Sequence, residues 1–491
     1  MTTPQLHPHE PAAARAPSDG HRARQAIPRY YESLDFPALW DEFPTAPDYF
    51  DSTFRLQPSE IAAVQERRLL QQVERGWQIP FYQRHWGAAG LKPGDVRCLA
   101  DLKEIPPFSV HDLRESIERN PPWGDFLGLD ATRDAPVPLV LQTSGGTTGM
   151  PRAMLYTPRD REVMNIITGR RLYMQGVRPY DLVQVALSTG LTNGGFLARE
   201  GIWKYTGAVP VMTGSGAQTP TRRQVEIMKG WKIDFLVGFA PYLRNIGLVA
   251  RDDMGIDPRS LGLRGLIAHL GLDDRESLED LWGCGVYDTY GTNEFGSIAA
   301  DCEHRSGMHV FEDAMHVEIV DPDTRAPRGP GEKGVMYVTS LFKHAAPMIR
   351  FNSNDISSWV DAAPCACGSH HRRISRLFGR ADNMVKLRGT NIFPEAIGAL
   401  VAEHAAVNGE YLCVLERDAE TGRDDMRVRF ELKSADAADA PAIERALAVR
   451  IKEALGVKLV LQAAAPGELS PLTGLSSTSK IRRLIDQRPA A

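Results

Sequence analysis

The sequence predicts an α/β protein: a large layered N-terminal domain with mixed sheets and a β-rich subdomain, then a small α+β C-terminal domain. Three observations carry this. Short apolar runs alternate with segments of helical period through the middle of the chain. Between Glu318 and Val338 the texture turns to strands and turns, and it changes again near Gly379. At 491 residues the chain exceeds one ordinary core. We read residues 1–28 as a disordered leader, 29–380 as the N-terminal domain and 381–491 as the C-terminal domain.

Each element follows from local pattern. From Glu60 to Trp77, apolar residues fall at helical spacing (Ile61, Val64, Leu69, Leu70, Val73), and Gly76 suits the stop. Helices expected at Arg159–Met174 and Thr221–Lys229 alternate with strands at Leu182–Leu187, Val209–Met212, Phe235–Val237 and Leu263–Ile267. Val317–Val320 and Gly334–Val338 read as strands joined by a turn-rich stretch. Past Gly379 come a helix (Ala396–His404), two strands (Tyr411–Glu416, Met426–Leu432), a helix from Pro441 to about Leu455, and a last strand, Lys458–Gln462. Pro441 suits a first helical position, where its missing N–H costs nothing, and Gly456 suits the stop.

Composition narrows the function classes. Net charge is −5 and no long basic run occurs, which argues against nucleic acid or an anionic membrane surface as partner. No apolar stretch reaches the roughly 18 residues of a membrane span, and the N-terminus lacks a secretion pattern. Six cysteines in so long a chain do not form a disulfide framework, so the cytoplasm is the expected compartment. A homodimer is left open.

The most informative segment is Thr143-Ser144-Gly145-Gly146-Thr147-Thr148-Gly149, which follows the apolar run Val137–Leu141. Glycines let backbone N–H groups turn inward and the hydroxyls add donors, a collar suited to polyphosphate oxygens. It is not the usual P-loop, since no Lys follows the last Gly; taken alone it also reads as an ordinary loop. In Tyr287–Gly296, the ring of Tyr290 precedes a turn glycine, Gly291, with Glu294 placed to hold Mg²⁺. In Pro347–Asp355, Asp355 can accept both ribose hydroxyls and Arg350 can neutralise phosphate. The stretch Leu377–Glu395 holds Gly379-Arg380-Ala381-Asp382 and closes on Ile392-Phe393-Pro394, which a mere charged linker does not explain. Near the C-terminus stands Thr478-Ser479-Lys480.

In this order these motifs, with Gly307–Asp313 and Ile349-Arg350-Phe351, resemble the adenylate-forming superfamily of acyl-CoA synthetases, adenylation domains and luciferases, and within it the phenylacetate–CoA ligase branch. The resemblance spans about residue 60 to the end. It implies an ATP-dependent carboxylic acid–CoA ligase that passes through an acyl-adenylate and releases pyrophosphate and AMP. It also admits transfer to an amine or to a carrier-protein thiol. By the same resemblance Ser144, Gly145, Gly146, Thr147, Thr148 and Gly149 hold the ATP phosphates, Tyr290 and Gly291 face adenine, Asp355 the ribose, and Glu294 binds Mg²⁺. Lys480 bridges the carboxylate and the α-phosphate, with Thr148 and Glu294 as its catalytic partners. Arg380 contacts ATP or the hinge, and Asp382 is the pivot of a mobile C-terminal domain that presents Lys386 and Gly389 to CoA. Arg152 and Asn293 stand where relatives carry Lys and Thr or Ser. By rough family position Phe196, Trp203, Phe239, Ala240, Pro241, His269 and Tyr287 line the acid pocket, and so aromatic a lining suits an aryl or arylacetic acid.

The cysteines add a second theme. Cys365-Ala366-Cys367 is a tight thiolate pair, and Cys302 lies upstream with His304 and His309. Cys302, Cys365 and Cys367 with His309 would complete a tetrahedral zinc site; His304 and His370 are the other choices, and two reduced cysteines in a turn the bland one. Because the implied chemistry uses Mg²⁺, such a zinc would be structural.

Overall fold

A computed structural model describes residues 27–128, 137–144, 151–361, 363–382, 385–387, 390–417, 423–434, 439–475 and 481–488. Nearly all of the expected leader lies outside these residues.

The centre is an eight-stranded sheet in the order Arg373–Ile374, Met308–Val310, Gly296–Ala300, Gly285–Thr292, Gly265–His269, Phe235–Phe239, Leu182–Val185, Val209–Met212. The last five strands of that order run parallel, joined through helices. Helices Pro158–Met174 and Gly194–Tyr205 cover one face through Leu172, Ala198 and Ile202, which meet Val183, Val185, Val237 and Ile267. The other face takes Thr221–Trp231, Ala240–Leu248 and Arg275–Trp282, packed through Val225, Met228, Leu243, Leu278 and Trp282. Strands buried on both faces read as apolar runs, and that is why the sequence exposes them.

A second, antiparallel sheet orders Met315–Val320, Lys333–Ser340, Phe351–Ser358 and Gly379–Arg380. This is the expected β-rich subdomain. The helix expected from Glu60 forms as Pro58–Gly76, and its Leu69 and Val73 join Val317 and Val338 in the largest core.

From Val385 onward the chain has its own core. A sheet ordered Val460–Ala464, Asp424–Leu432, Val407–Arg417, Leu484–Asp486 packs on helices Ile397–Ala402 and Ala440–Leu455. Asp439 caps the longer helix by accepting from the N–H of Ala442 at 3.1 Å, and Gly456 ends it at φ +72°, where a side chain would be strained. The last expected strand starts two residues later than read, at Val460, because Val457 and Leu459 first bury into the core. Among the described residues no helix is long and apolar enough to cross a membrane.

Candidate functional site

Parallel strands open their carboxyl ends to one rim, where ligands of such sheets bind. Strand Gly285–Thr292 reaches that rim and returns as Gly296–Ala300 in a tight hairpin. Gly291 sits within the first strand and not in the turn, contrary to the sequence reading; a Cβ there would strike the carbonyl of Gly296, so the close approach of the strands requires glycine.

Glu294 occupies the hairpin tip and is buried, with the Arg152 guanidinium bonded to its Oε1. Burial opposes ionisation of this carboxyl, but Arg152 outweighs it and holds the pKa below the ordinary range. The backbone around it is gripped from several sides. Lys343 Nζ donates to the carbonyl of Glu294 at 2.8 Å, and Tyr156 Oη donates to that of Asn293 at 2.6 Å. Asn293 Nδ2 donates to the carbonyl of Thr143 at 3.0 Å, and its Oδ1 accepts from the N–H of Asn193 at 3.3 Å. Asn293 thereby joins the strand that enters the glycine–threonine loop to the start of helix Gly194–Tyr205. Lys343 is wholly enclosed, and burial pulls its pKa down to about 8 against the attraction of Asp160 and Glu294. Sequence reasoning missed Lys343 and Tyr156: an isolated Lys ordinarily reads as solvated, and nothing local marks this one.

Three of the expected nucleotide residues meet. Tyr290 Oη donates to Asp355 Oδ2 at 2.7 Å, and Arg380 Nη1 donates to Asp355 Oδ1 at 3.0 Å. Arg380 also holds Asp382 through Nε at 2.8 Å and Nη2 at 2.7 Å. Asp355 and Arg380 are ladder partners, which fixes their distance through the backbone. Burial and then the charge of Asp355 raise the Tyr290 pKa well above normal, so its hydroxyl remains a donor.

Arg350 departs from expectation. It takes φ +60°, and its guanidinium grips Glu318 at 3.1 Å through both Nε and Nη2, and the carbonyl of Ile105 at 2.7 Å. It is a buried structural tie between the subdomain sheet and the carbonyls of Lys103 and Ile105, not a phosphate contact. Gly145, Gly146, Thr147, Thr148, Gly149, Gly389 and Lys480 lie outside the described residues, as do the side chains of Ser144 and Lys386.

The acid-pocket residues divide. Phe239 and His269 are register partners at the rim, with rings 5.1 Å apart. Burial drives the His269 pKa down to about 3, helped by the charge of Arg171, so the ring is neutral. Phe196 is half-buried on helix Gly194–Tyr205. Trp203 is corrected: it is 59% exposed, because that helix buries its opposite face through Leu197, Ala198 and Ile202. Ala240 is also corrected, since it is fully buried with Leu243 and Ala268, in a different cluster from the one Phe239 joins. Tyr287 turns its ring toward Gly265 and Gly285, at the strand starts and away from the rim. A cavity of about 240 Å³ opens elsewhere, lined by Asp288, Asp301, Arg275 and Arg305 among others.

The cysteine cluster assembles as read. The ligand atoms of Cys302, His309, Cys365 and Cys367 all lie within 4.8 Å of one another. The other histidines are elsewhere: His304 pairs with Glu303 at 3.7 Å and His370 contacts Gln57 at 3.2 Å.

Residues 389–488 match the family model of the AMP-binding enzyme C-terminal domain. A phenylacetate–coenzyme A ligase of Aromatoleum evansii is 30% identical over 88% of this chain and 97% of its own length. One of Thermus thermophilus is 29% identical over 88% and 98%. Among solved structures, a 2-hydroxyisobutyryl-CoA ligase in its postadenylation state with 2-HIB-AMP superposes with TM-score 0.81 at 27% identity, covering 92% of this chain and 96% of that one. The same ligase in its thioesterification state, with CoA, gives 0.66 at 28% identity over 93% and 96%. The chain belongs to the phenylacetate–CoA ligase branch of the adenylate-forming superfamily and is an AMP-forming acid–CoA ligase.

Proposed function

We propose that the acid is an aryl or arylacetic acid, that the acceptor is CoA and that the enzyme works in the cytoplasm. The observation that supports the acid class is the Phe239–His269 pair at the rim, two aromatic rings 5.1 Å apart and tilted by 32°, with the imidazole neutral. The names of the curated relatives point the same way.

In this reading the acid carboxylate attacks the α-phosphorus of ATP, forming an acyl-adenylate and expelling pyrophosphate. The CoA thiol then loses its proton, attacks the acyl carbon and releases AMP. Both steps gather negative charge, so positioning and neutralisation dominate. Asp355 receives the ribose, Tyr290 and Arg380 hold that carboxylate in place, and Ser144, Gly145, Gly146, Thr147, Thr148 and Gly149 surround the phosphates. Glu294 fits Mg²⁺, which takes one or two carboxylates plus phosphate oxygens, because it is ionised and held at a fixed hairpin tip. The metal supplies charge neutralisation on the phosphates when bound. Arg152 would exchange Glu294 for phosphate as nucleotide enters. Lys480 delivers the bridging charge, and we take residues 381–491 as the lobe that carries it, turning at Asp382. The higher superposition score with the postadenylation form supports an arrangement close to that state. The Cys–His cluster has no part in these steps; a zinc there would be structural.

Lys480→Ala tests the assignment. Acid-dependent ATP–pyrophosphate exchange should collapse while the circular dichroism spectrum is retained. A panel of aryl, arylacetic and aliphatic acids, scored by CoA-dependent AMP release, tests the substrate class. Preference for a short aliphatic acid would overturn it.

A further inference from the structure

We propose that Cys302, His309, Cys365 and Cys367 bind one zinc ion, and that this ion fastens the segment from Thr53 to Gln57 onto the central sheet. The inference is independent of the ligase chemistry. All six cysteines of the chain are free, and three of them converge here with one imidazole. The spacings fit a metal and not a disulfide. Bonds of about 2.3 Å to sulfur and 2.05 Å to nitrogen in a tetrahedron place two sulfurs about 3.7 Å apart, and sulfur and nitrogen about 3.6 Å apart. Cys302 Sγ and Cys365 Sγ are 3.7 Å apart, and Cys367 Sγ and His309 Nε2 are 3.4 Å apart. A disulfide needs about 2.05 Å between sulfurs. Three thiolates and an imidazole select zinc over the hard Mg²⁺ of the nucleotide site. Binding displaces the thiol protons to solvent.

The ligands are drawn from distant parts of the chain, and their surroundings show what the ion would hold. Strand Met308–Val310 supplies His309 and pairs with Arg373–Ile374, just past the Cys365–Cys367 knuckle. The knuckle turns at Gly368, which takes φ +85° and donates its N–H to the carbonyl of Cys365 at 2.8 Å. A Cβ on Gly368 would collide with Arg55 Nη1, which donates to the carbonyl of Cys367 at 2.8 Å. Around it, His371 Nε2 meets the carbonyl of Thr53 at 3.1 Å, and the Phe54 ring lies 5.4 Å from that of His309. With Gln57 on His370, the whole segment rests on the knuckle.

Metal analysis of full-length protein, made with zinc supplied and purified under reducing conditions, should find about one zinc per chain. Cobalt exchange should give the thiolate charge-transfer and ligand-field bands of a tetrahedral site. The Cys365→Ser/Cys367→Ser double variant should lose the metal, melt several degrees lower and become open to proteolysis between residues 50 and 60, whereas Cys98→Ser keeps all three properties. Should the double variant fail to fold, chelation of the wild-type protein reads the same melting and cleavage changes. Absence of stoichiometric metal from wild-type protein overturns the site. Stoichiometric metal whose removal leaves cleavage near Thr53–Gln57 unchanged overturns the fastening role.

Discussion

Asn293 Nδ2 donates to the main-chain carbonyl of Thr143 at 3.0 Å, across 150 residues of sequence. The bond joins the hairpin that carries Glu294 to the strand entering the glycine–threonine loop, and Asn193 completes the junction from the start of helix Gly194–Tyr205. Asn293→Ala leaves a partly buried carbonyl and an N–H without their partner, at a cost of about 1–3 kcal/mol. If that cost falls on the aligned state, kcat/KM for MgATP should drop by about 10- to 100-fold in pyrophosphate exchange. Asn293→Asp should be no better, since it cannot donate to Thr143 and puts a second carboxylate beside Glu294. Wild-type exchange by Asn293→Ala would remove the residue from the positioning role.

Lys343 acts on the same hairpin through the carbonyl of Glu294. Lys343→Met keeps most of the volume and loses the donor. The Mg²⁺ concentration giving half-maximal exchange should rise several-fold, with KM for the acid unchanged. A Mg²⁺ titration at fixed ATP checks it, and an equal rise in both constants would point to general unfolding instead.

Phe239 and Trp203 separate rim from surface. Phe239→Ala should raise KM for an arylacetic acid by up to about tenfold, in line with about 0.5–1.5 kcal/mol for an aromatic pair, and leave KM for ATP alone. Trp203→Ala, on the solvent face of its helix, should change neither. Steady-state kinetics on the two variants decide between them.

Asp288 gives a pH signature. Burial, with the neighbouring charge of Asp301, raises its pKa from 3.8 to about 7. Between those values the folded chain holds a proton that the unfolded chain has lost, so this group's contribution is complete below 3.8 and lost as pH rises through about 7. Asp288→Asn keeps an oxygen to accept from the N–H groups of Leu270 and Thr289. Its melting temperature relative to wild type should therefore climb from pH 5 to pH 8, by an amount worth a few kcal/mol at most. A constant difference across that range would refute the shift.

Much of the fold is legible in the sequence because apolar strands and helical spacing are local signals. Val209–Met212 forms as read, and Pro158–Met174 begins one residue before its expected start. The Cys302–His309–Cys365–Cys367 cluster is legible because thiols are few and chemically particular, and residue type with spacing puts His309 ahead of His304 as the fourth member. Partners chosen by packing leave no such mark. Nothing near Arg350 signals Glu318, and nothing near Trp203 says which helix face meets the sheet. Gly291 reads as a turn residue because glycine marks both turns and close strand approaches, and only the neighbouring Gly296 carbonyl distinguishes them.

The ladder pairing of Asp355 with Arg380 has a mechanical corollary. If the tail swings about Asp382, its bearing is set two residues beyond a rung of the stationary sheet, beside the carboxylate that would cradle the sugar. A reaction intermediate seated there could then stay parked while the outer lobe trades one face for another, sparing the enzyme a release and recapture between half-reactions.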